Sequence, residues 1–157
     1  MSDSLPIRDP NYVTETAVYF YTPTYYAFDN FSAFSVELWG RVFPTSEHAY
    51  QWKKFEFSKS AVAEEIVNAR SARDTKVIAD AHKEEISPDW HTVKVSYMEE
   101  ILRAKIAQHE KVKSLLMETG TKEIIENSPT DAFWGIGSGD GRNELGKLWM
   151  KLRSELE

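Results

Sequence analysis

From Thr45 to the C-terminus the apolar residues of this chain recur at three- and four-residue spacing, and that periodicity restricts it to a mainly helical fold. The spacing predicts helices at about 45–57, 60–69, 72–83, 91–109, 111–118 and 143–156. Ser71 followed by Asp74 has the form of a capping box. Asn143 suits the N-cap of the last helix, whose apolar face is Leu145, Leu148, Trp149, Leu152 and Leu156. Before Thr45 the pattern differs. Residues 1–15 are polar, hold two prolines and predict a flexible leader. AVYFY at 17–21 predicts one short strand, and FSVELWGRVF at 34–43 predicts two that turn at Gly40. The expected architecture is mainly α with a few short β-strands near the N-terminus, as a single domain over residues 16–157.

A chain of 157 residues, 41% of them apolar, buries one real core. The absence of cysteine excludes a disulfide framework or a thiolate metal site, and histidines 48, 82, 91 and 109 show no ligand spacing. No metal and no cofactor is expected. The longest apolar runs fall far short of the ~20 residues a membrane span needs, and Met1 to Asn11 has no hydrophobic signal core, so a cytoplasmic protein is expected. A net charge of −6 opposes generic binding to nucleic acid unless a local basic patch overrides it. Five Trp, seven Tyr and eight Phe, several beside Gly, Asn or Asp, serve either as core or as walls of a pocket for a flat ligand.

FPTSEHAYQWKKF, residues 43–55, carries the most informative pattern. Thr45 or Ser46 can cap a helix there, which places Glu47 in its first turn, where the helix dipole favours an acid with no function at all by ~0.3–1 kcal/mol. Yet Glu47, Tyr50, Gln51 and Lys54 share one arc of that helix, with Phe55 and Phe57 flanking it and Ala49 and Trp52 opposite. A solvated face is more usually rimmed by charges than by rings, so this stripe also fits the wall of a cleft. In a cleft, Glu47 is expected to stay ionised, because the dipole lowers its pKa.

A second stripe, Lys94, Met98, Ile101 and Lys105, sets two cations on the apolar side of the 91–109 helix. Either the long stems reach to water, or the amines bind an anion such as phosphate or take part in catalysis. Trp90, in the turn before this helix, is a packing anchor or a stacking plate. DAFWGIGSGDGRN at 131–143 holds glycines 135, 137, 139 and 141 but has neither the dinucleotide nor the P-loop spacing. Its glycines suit a connector, or a close backbone approach to a ligand at the start of the last helix.

Together AFDNFS (27–32), LWGRVFPTSEHAYQWKKF (38–55), DWHTVKVSYM (89–98) with LRAK (102–105), ETG (118–120) and DAFWGIGSGDGRNELGKLWMKLR (131–153) resemble the NADAR family, the YbiA-like N-glycosidases. The resemblance spans roughly residues 18–154 and implies a YbiA-like helical fold. It implies an enzyme that hydrolyses the bond between ribose C1 and an amine nitrogen. The implied substrates are ribosylamino-pyrimidine 5′-phosphates of early riboflavin synthesis, releasing ribose 5-phosphate. Other members remove ADP-ribose from modified guanine, so a nucleic-acid substrate is the rival, helped by a basic groove of Arg41, Lys53 and Arg142; a non-catalytic nucleotide-sugar binder is a third alternative. By motif the resemblance assigns Glu47, Trp90 and Asp131 as catalytic. The candidate substrate-binding residues are Asn30, Phe31, Trp39, Gly40, Tyr50, Lys54, Lys94, Lys105, Trp134, Gly135 and Asn143. The hypothesis that joins both readings has Trp90 or Trp134 against the flat base and lysines and loop amides on the phosphate. Two carboxylates then serve the sugar carbon, one for water or the developing cation and one for the leaving group. A Schiff base on Lys54 or Lys105 is a second route.

Overall fold

Thr45 is where extended backbone gives way to helix: its Oγ1 accepts the His48 N–H at 3.2 Å and caps α1, Ser46–Lys54. The computed structural model describes residues 9–21 and 27–156. Helices α2 (Val62–Val67), α3 (Ala72–Ala81), α4 (Trp90–Gln108), α5 (Glu110–Glu118) and α6 (Glu144–Glu155) follow, close to the positions the periodicity predicts. Ser71 caps α3 through Asp74 N–H at 3.1 Å. Helix α1 packs on α2, α3 and α4, and every residue from Ser46 to Trp52 is buried. Its polar stripe is therefore largely interior, and several polar groups of the helix find partners there while Ser46 Oγ, Gln51 Oε1 and Trp52 Nε1 are buried without one. His48, for example, spans Thr45 Oγ1 and Ala69 O at 2.8 and 3.0 Å. Phe57 lies beyond the helix and is 83% exposed, so it does not rim the stripe as expected.

Strand β1 (Tyr12–Val13), β2 (Ala17–Phe20) and β5 (Glu123–Glu126) form one sheet in the order β1-β2-β5. The first eight residues of the expected leader lie outside the described residues. Tyr12 and Val13, read as part of that leader, instead pair with β2; Tyr12 stacks on Tyr19 at 4.3 Å, and the Asn11 side chain clamps the backbone of Tyr21. Strand β5, far from the N-terminus, carries no sequence expectation at all, because its parallel partner β2 lies about a hundred residues upstream. Strands β3 (Val36–Leu38) and β4 (Arg41–Phe43) make the expected hairpin. Trp39 and Gly40 both take positive φ, 54° and 76°, as a two-residue turn between twisted strands requires.

Helix α6 packs on β5. At the contact a Cβ on Gly146 would lie 2.0 Å from Ile124 O, so only glycine allows the approach. Asn143 precedes α6 but does not cap it with its side chain. It adopts φ 51°, accepts the Glu126 N–H and donates to Ile124 O, both at 2.9 Å, so its amide is spent bridging the backbone of β5. Among the described residues no helix is long and apolar enough to cross a membrane.

Candidate active site

Glu47, Tyr50 and Lys54 enter one cluster from α1, Trp90 and Lys94 from the start of α4, and Asp131, Phe133 and Trp134 from the glycine loop. Tyr50 is the hub. Its ring lies 5.2 Å from Trp90 and 5.7 Å from Trp134, its hydroxyl accepts Trp134 Nε1–H at 3.2 Å, and Lys54 Nζ sits 4.9 Å above it. Burial pushes the Tyr50 hydroxyl well up, and the charges of Glu47 and Asp131 push it the same way, so both acids act on this one group. Lys94 Nζ caps the Phe133 ring at 3.8 Å beside Asp131, with the Arg142 guanidinium 5.0 Å from the same ring.

Glu47 is 7% exposed; its N–H donates to Asn30 O at 3.0 Å and its Oε1 accepts Gln51 Nε2–H at 2.7 Å. Burial raises its pKa, against the lowering effects of Gln51, Lys54 and Lys76. This reverses the expectation from the helix dipole, because desolvation of an enclosed carboxyl outweighs a dipole that acts best at exposed ends. Asp131 anchors the loop: Oδ1 accepts the Phe133 and Trp134 N–H groups at 3.0 and 2.8 Å. The loop folds on itself. The amides of Ile136, Gly137, Gly139, Gly141, Arg142 and Asn143 donate to protein carbonyls, which removes them from the expected role of cradling phosphate.

The remaining sequence-assigned residues divide. Asn30 lies against Glu47 with its Oδ1 buried and unpartnered, and Phe31 follows it, its N–H on Asp29 Oδ1 at 2.8 Å. Gly135 is buried where a Cβ would meet Glu126 O at 2.8 Å and Asp131 O at 3.0 Å. Trp39 reaches the cluster only through Tyr97, which it meets edge-on at 5.8 Å and which stacks on Trp90 at 6.1 Å. Gly40 instead borders a hollow of about 600 Å³ with Glu37, Leu38, Val42 and His109, which shares no lining residue with the Tyr50 cluster and lacks its buried acids. Lys105 does not snorkel. It is fully buried and donates to Asp29 O and Ser32 Oγ, both at 3.1 Å; burial lowers its pKa to about 7, with Asp29 opposing.

Two residues escaped the sequence reading. Lys76 on α3 is close enough to lower the pKa of Glu47. Glu126, at the end of β5, faces Asp131, Asp29 and Glu47. A signal for it existed: the Ile124–Ile125 pair between Gly120 and Pro129 marks a short strand ending five residues before Asp131. Elsewhere, ligand atoms of His82, Glu84 and Glu85 lie within 4.8 Å of one another, where His82 pairs with Glu85 on the surface.

The NADAR domain pattern matches residues 19–157, which includes every element that builds this cluster. The chain belongs to the NADAR family. It is 34% identical to the N-glycosidase YbiA of Escherichia coli, over 95% of this chain and 94% of that one. The NMR structure of E. coli YbiA matches with a TM-score of 0.80 over 95% of this chain and 89% of that chain. A riboflavin biosynthesis protein of Vibrio vulnificus is also 34% identical over 92% of this chain, which covers 40% of that longer protein.

Proposed function

We propose that this N-glycosidase hydrolyses the bond between ribose C1 and the amine nitrogen of ribosylamino-pyrimidine 5′-phosphates, releasing ribose 5-phosphate and an aminopyrimidine. The carrying observation is that Tyr50, one turn along α1 from Glu47, meets Trp90 at 5.2 Å and Trp134 at 5.7 Å while Asp131 holds the Trp134 N–H at 2.8 Å, so acids eighty-four residues apart in the chain share one aromatic cluster. Breaking the C–N bond builds oxocarbenium-like charge at C1, which two carboxylates serve well. Burial raises the proton affinity of Glu47, which suits it to take a proton from the attacking water. Asp131 then faces the cationic carbon. Lys94 and Arg142, both against the Phe133 ring, together with Lys54 hold the phosphate, while Trp90 and Trp134 wall the base.

Freshly made substrate incubated with the protein is expected to give ribose 5-phosphate by mass spectrometry. Intact substrate after long incubation would defeat the assignment. Lys54 supports a second route. Its amine, partly desolvated and with lowered pKa, lies beside Trp90 and Tyr50, whereas Lys105 is enclosed by the segment it holds. Borohydride reduction during turnover is expected to trap a sugar on Lys54 if that route operates; no adduct removes it.

ADP-ribosylated guanine in a nucleic acid is less well supported. Arg41 and Lys53 are each paired with a carboxylate, on Glu64 and Glu56, which neutralises two of the three cations of the basic groove a polymer would need.

A further inference from the structure

Among the described residues, Glu126 is a carboxyl with acids nearby and no hydrogen-bond donor on its buried oxygen. Its backbone is fixed, the N–H on Asn143 Oδ1 at 2.9 Å and the carbonyl accepting Ile136 N–H at 3.0 Å. Its Oε2 is buried with no hydrogen-bond partner, and a Cβ on Gly135 would stand 3.0 Å from that oxygen, so the glycine leaves it room. The groups facing it are Asp131 from the loop, Asp29 from the 27–32 segment, Glu47 from α1, and Lys76, which alone opposes them, from α3. Glu47 has Gln51 and Lys54, and Asp131 has two backbone amides and Lys94. Of the three carboxyls, Glu126 is the one whose buried oxygen has no hydrogen-bond donor and whose anion is favoured only by Lys76, the weakest influence on it, so burial and the neighbouring acids hold it as the neutral acid.

We propose that Glu126 is a third catalytic carboxyl and hands its proton to the amine nitrogen as it leaves ribose C1. The proposal rests on the N-glycosidic reading above. In the step, the C1–N bond breaks with its electron pair remaining on nitrogen, the Glu126 proton moves to that nitrogen, and Glu126 becomes a carboxylate. Water oxygen bonds to C1 and its surplus proton goes to Glu47. Exchange with solvent after product release reprotonates Glu126 and deprotonates Glu47, so one water is consumed for each glycosidic bond. The division of labour is physically consistent: an amine departs poorly without a proton, and an acid that titrates near the working pH delivers one best. Burial, then the charges of Asp131, Asp29 and Glu47, push Glu126 up to about 8.

The test is Glu126→Gln, which keeps the shape and removes the transferable proton, assayed on two substrates. One is the ribosylamino-pyrimidine 5′-phosphate. The other is 4-nitrophenyl ribofuranoside 5-phosphate, whose leaving group needs no proton. The variant is expected to lose a factor on the order of 10²–10⁴ in kcat on the amine substrate, to stay within a few-fold on the nitrophenyl one, and to lack the alkaline fall in rate expected of wild type above about pH 8. Near-normal turnover of the amine overturns the proposal, and so does an equal loss on both substrates, which marks a positioning role. Carbon-13 NMR of the free protein adds a reading that needs no substrate. The carboxyl signal missing in the variant should titrate near 8, and a midpoint near 4.5 overturns the proposal. Wild-type inactivity on the ribosylamine counts against the substrate reading instead, while the NMR titration still sustains or overturns the proton on Glu126.

Discussion

Lys94 and Lys105 stand three turns apart on one stripe of α4, yet the two ends of that stripe do different work. Lys94 is half-buried over Phe133, facing Asp131 and Arg142. Lys105 is sealed beneath residues 27–32, where it holds Asp29 O and Ser32 Oγ while Trp149 Nε1 holds Phe28 O at 3.2 Å. The difference lies in what the chain lays over the stripe: the glycine loop over one end, the Asn30-bearing segment over the other. One amine stays half-buried at the cluster, which suits it to the phosphate proposed above. The other positions Asn30, whose carbonyl in turn receives the N–H of Glu47. A cation on an apolar stripe is thus a prompt to ask what covers it, and the cover decides its use.

The largest effects belong to the reaction end. Replacing Glu47 by Gln, or Asp131 by Asn, is expected to cut kcat by a factor on the order of 10²–10⁴, with Tm held or raised for Glu47→Gln because a buried acid is removed. If both variants keep near-normal rates while folded, the two carboxylates do not serve C1. Next is Lys94→Met. Loss of one charge-assisted bond to phosphate, worth roughly 1.5–3 kcal/mol, should raise KM about tenfold or more and spare the thermal midpoint; an equal change with dephosphorylated substrate would contradict that role.

Lys105→Met is expected to act mainly on stability. The folded amine titrates near 7 and the unfolded one near 10.5, so between those values the unfolded chain binds more protons and wild-type stability rises with pH through this group. The variant lacks that rise. Its deficit, on the order of 1–3 kcal/mol, should be greatest near pH 10 and shrink toward pH 7 in urea titrations. A pH-independent deficit would mean that Lys105 is not the titrating group. The smallest effect is at Trp39, which meets the cluster only through Tyr97: Trp39→Phe should change kcat/KM less than a few-fold. A loss comparable to that of Lys94→Met would extend the site onto the hairpin.

What the sequence discloses here is set by the range of each interaction. Helix α1, its Thr45 cap and the ring-bordered arc of Glu47, Tyr50 and Lys54 are local patterns, and they were legible as such. The ionisation of Glu47 was not, because its direction depends on burial supplied by α2, α3, α4 and the 27–32 segment. Strand β5 escaped for a similar reason: four residues gain their strand only by pairing with Ala17–Phe20, and Glu126 went unnoticed with them. Asn143 shows the converse. Its residue type favours helix caps, while its actual bonds run to β5, whose only local signal is the Ile124–Ile125 pair. The glycine loop was legible in position and misleading in use, since its amides close on carbonyls of the protein.

The most direct test is a crystal structure of the Glu47→Gln variant, slowed enough to retain intact ribosylamino-pyrimidine 5′-phosphate. The account places C1 beside residue 47 and the Asp131 carboxylate, with the leaving nitrogen toward Glu126 and the phosphate between Lys94 and Arg142. A sugar bound in the hollow beside Gly40, away from these acids, would contradict it.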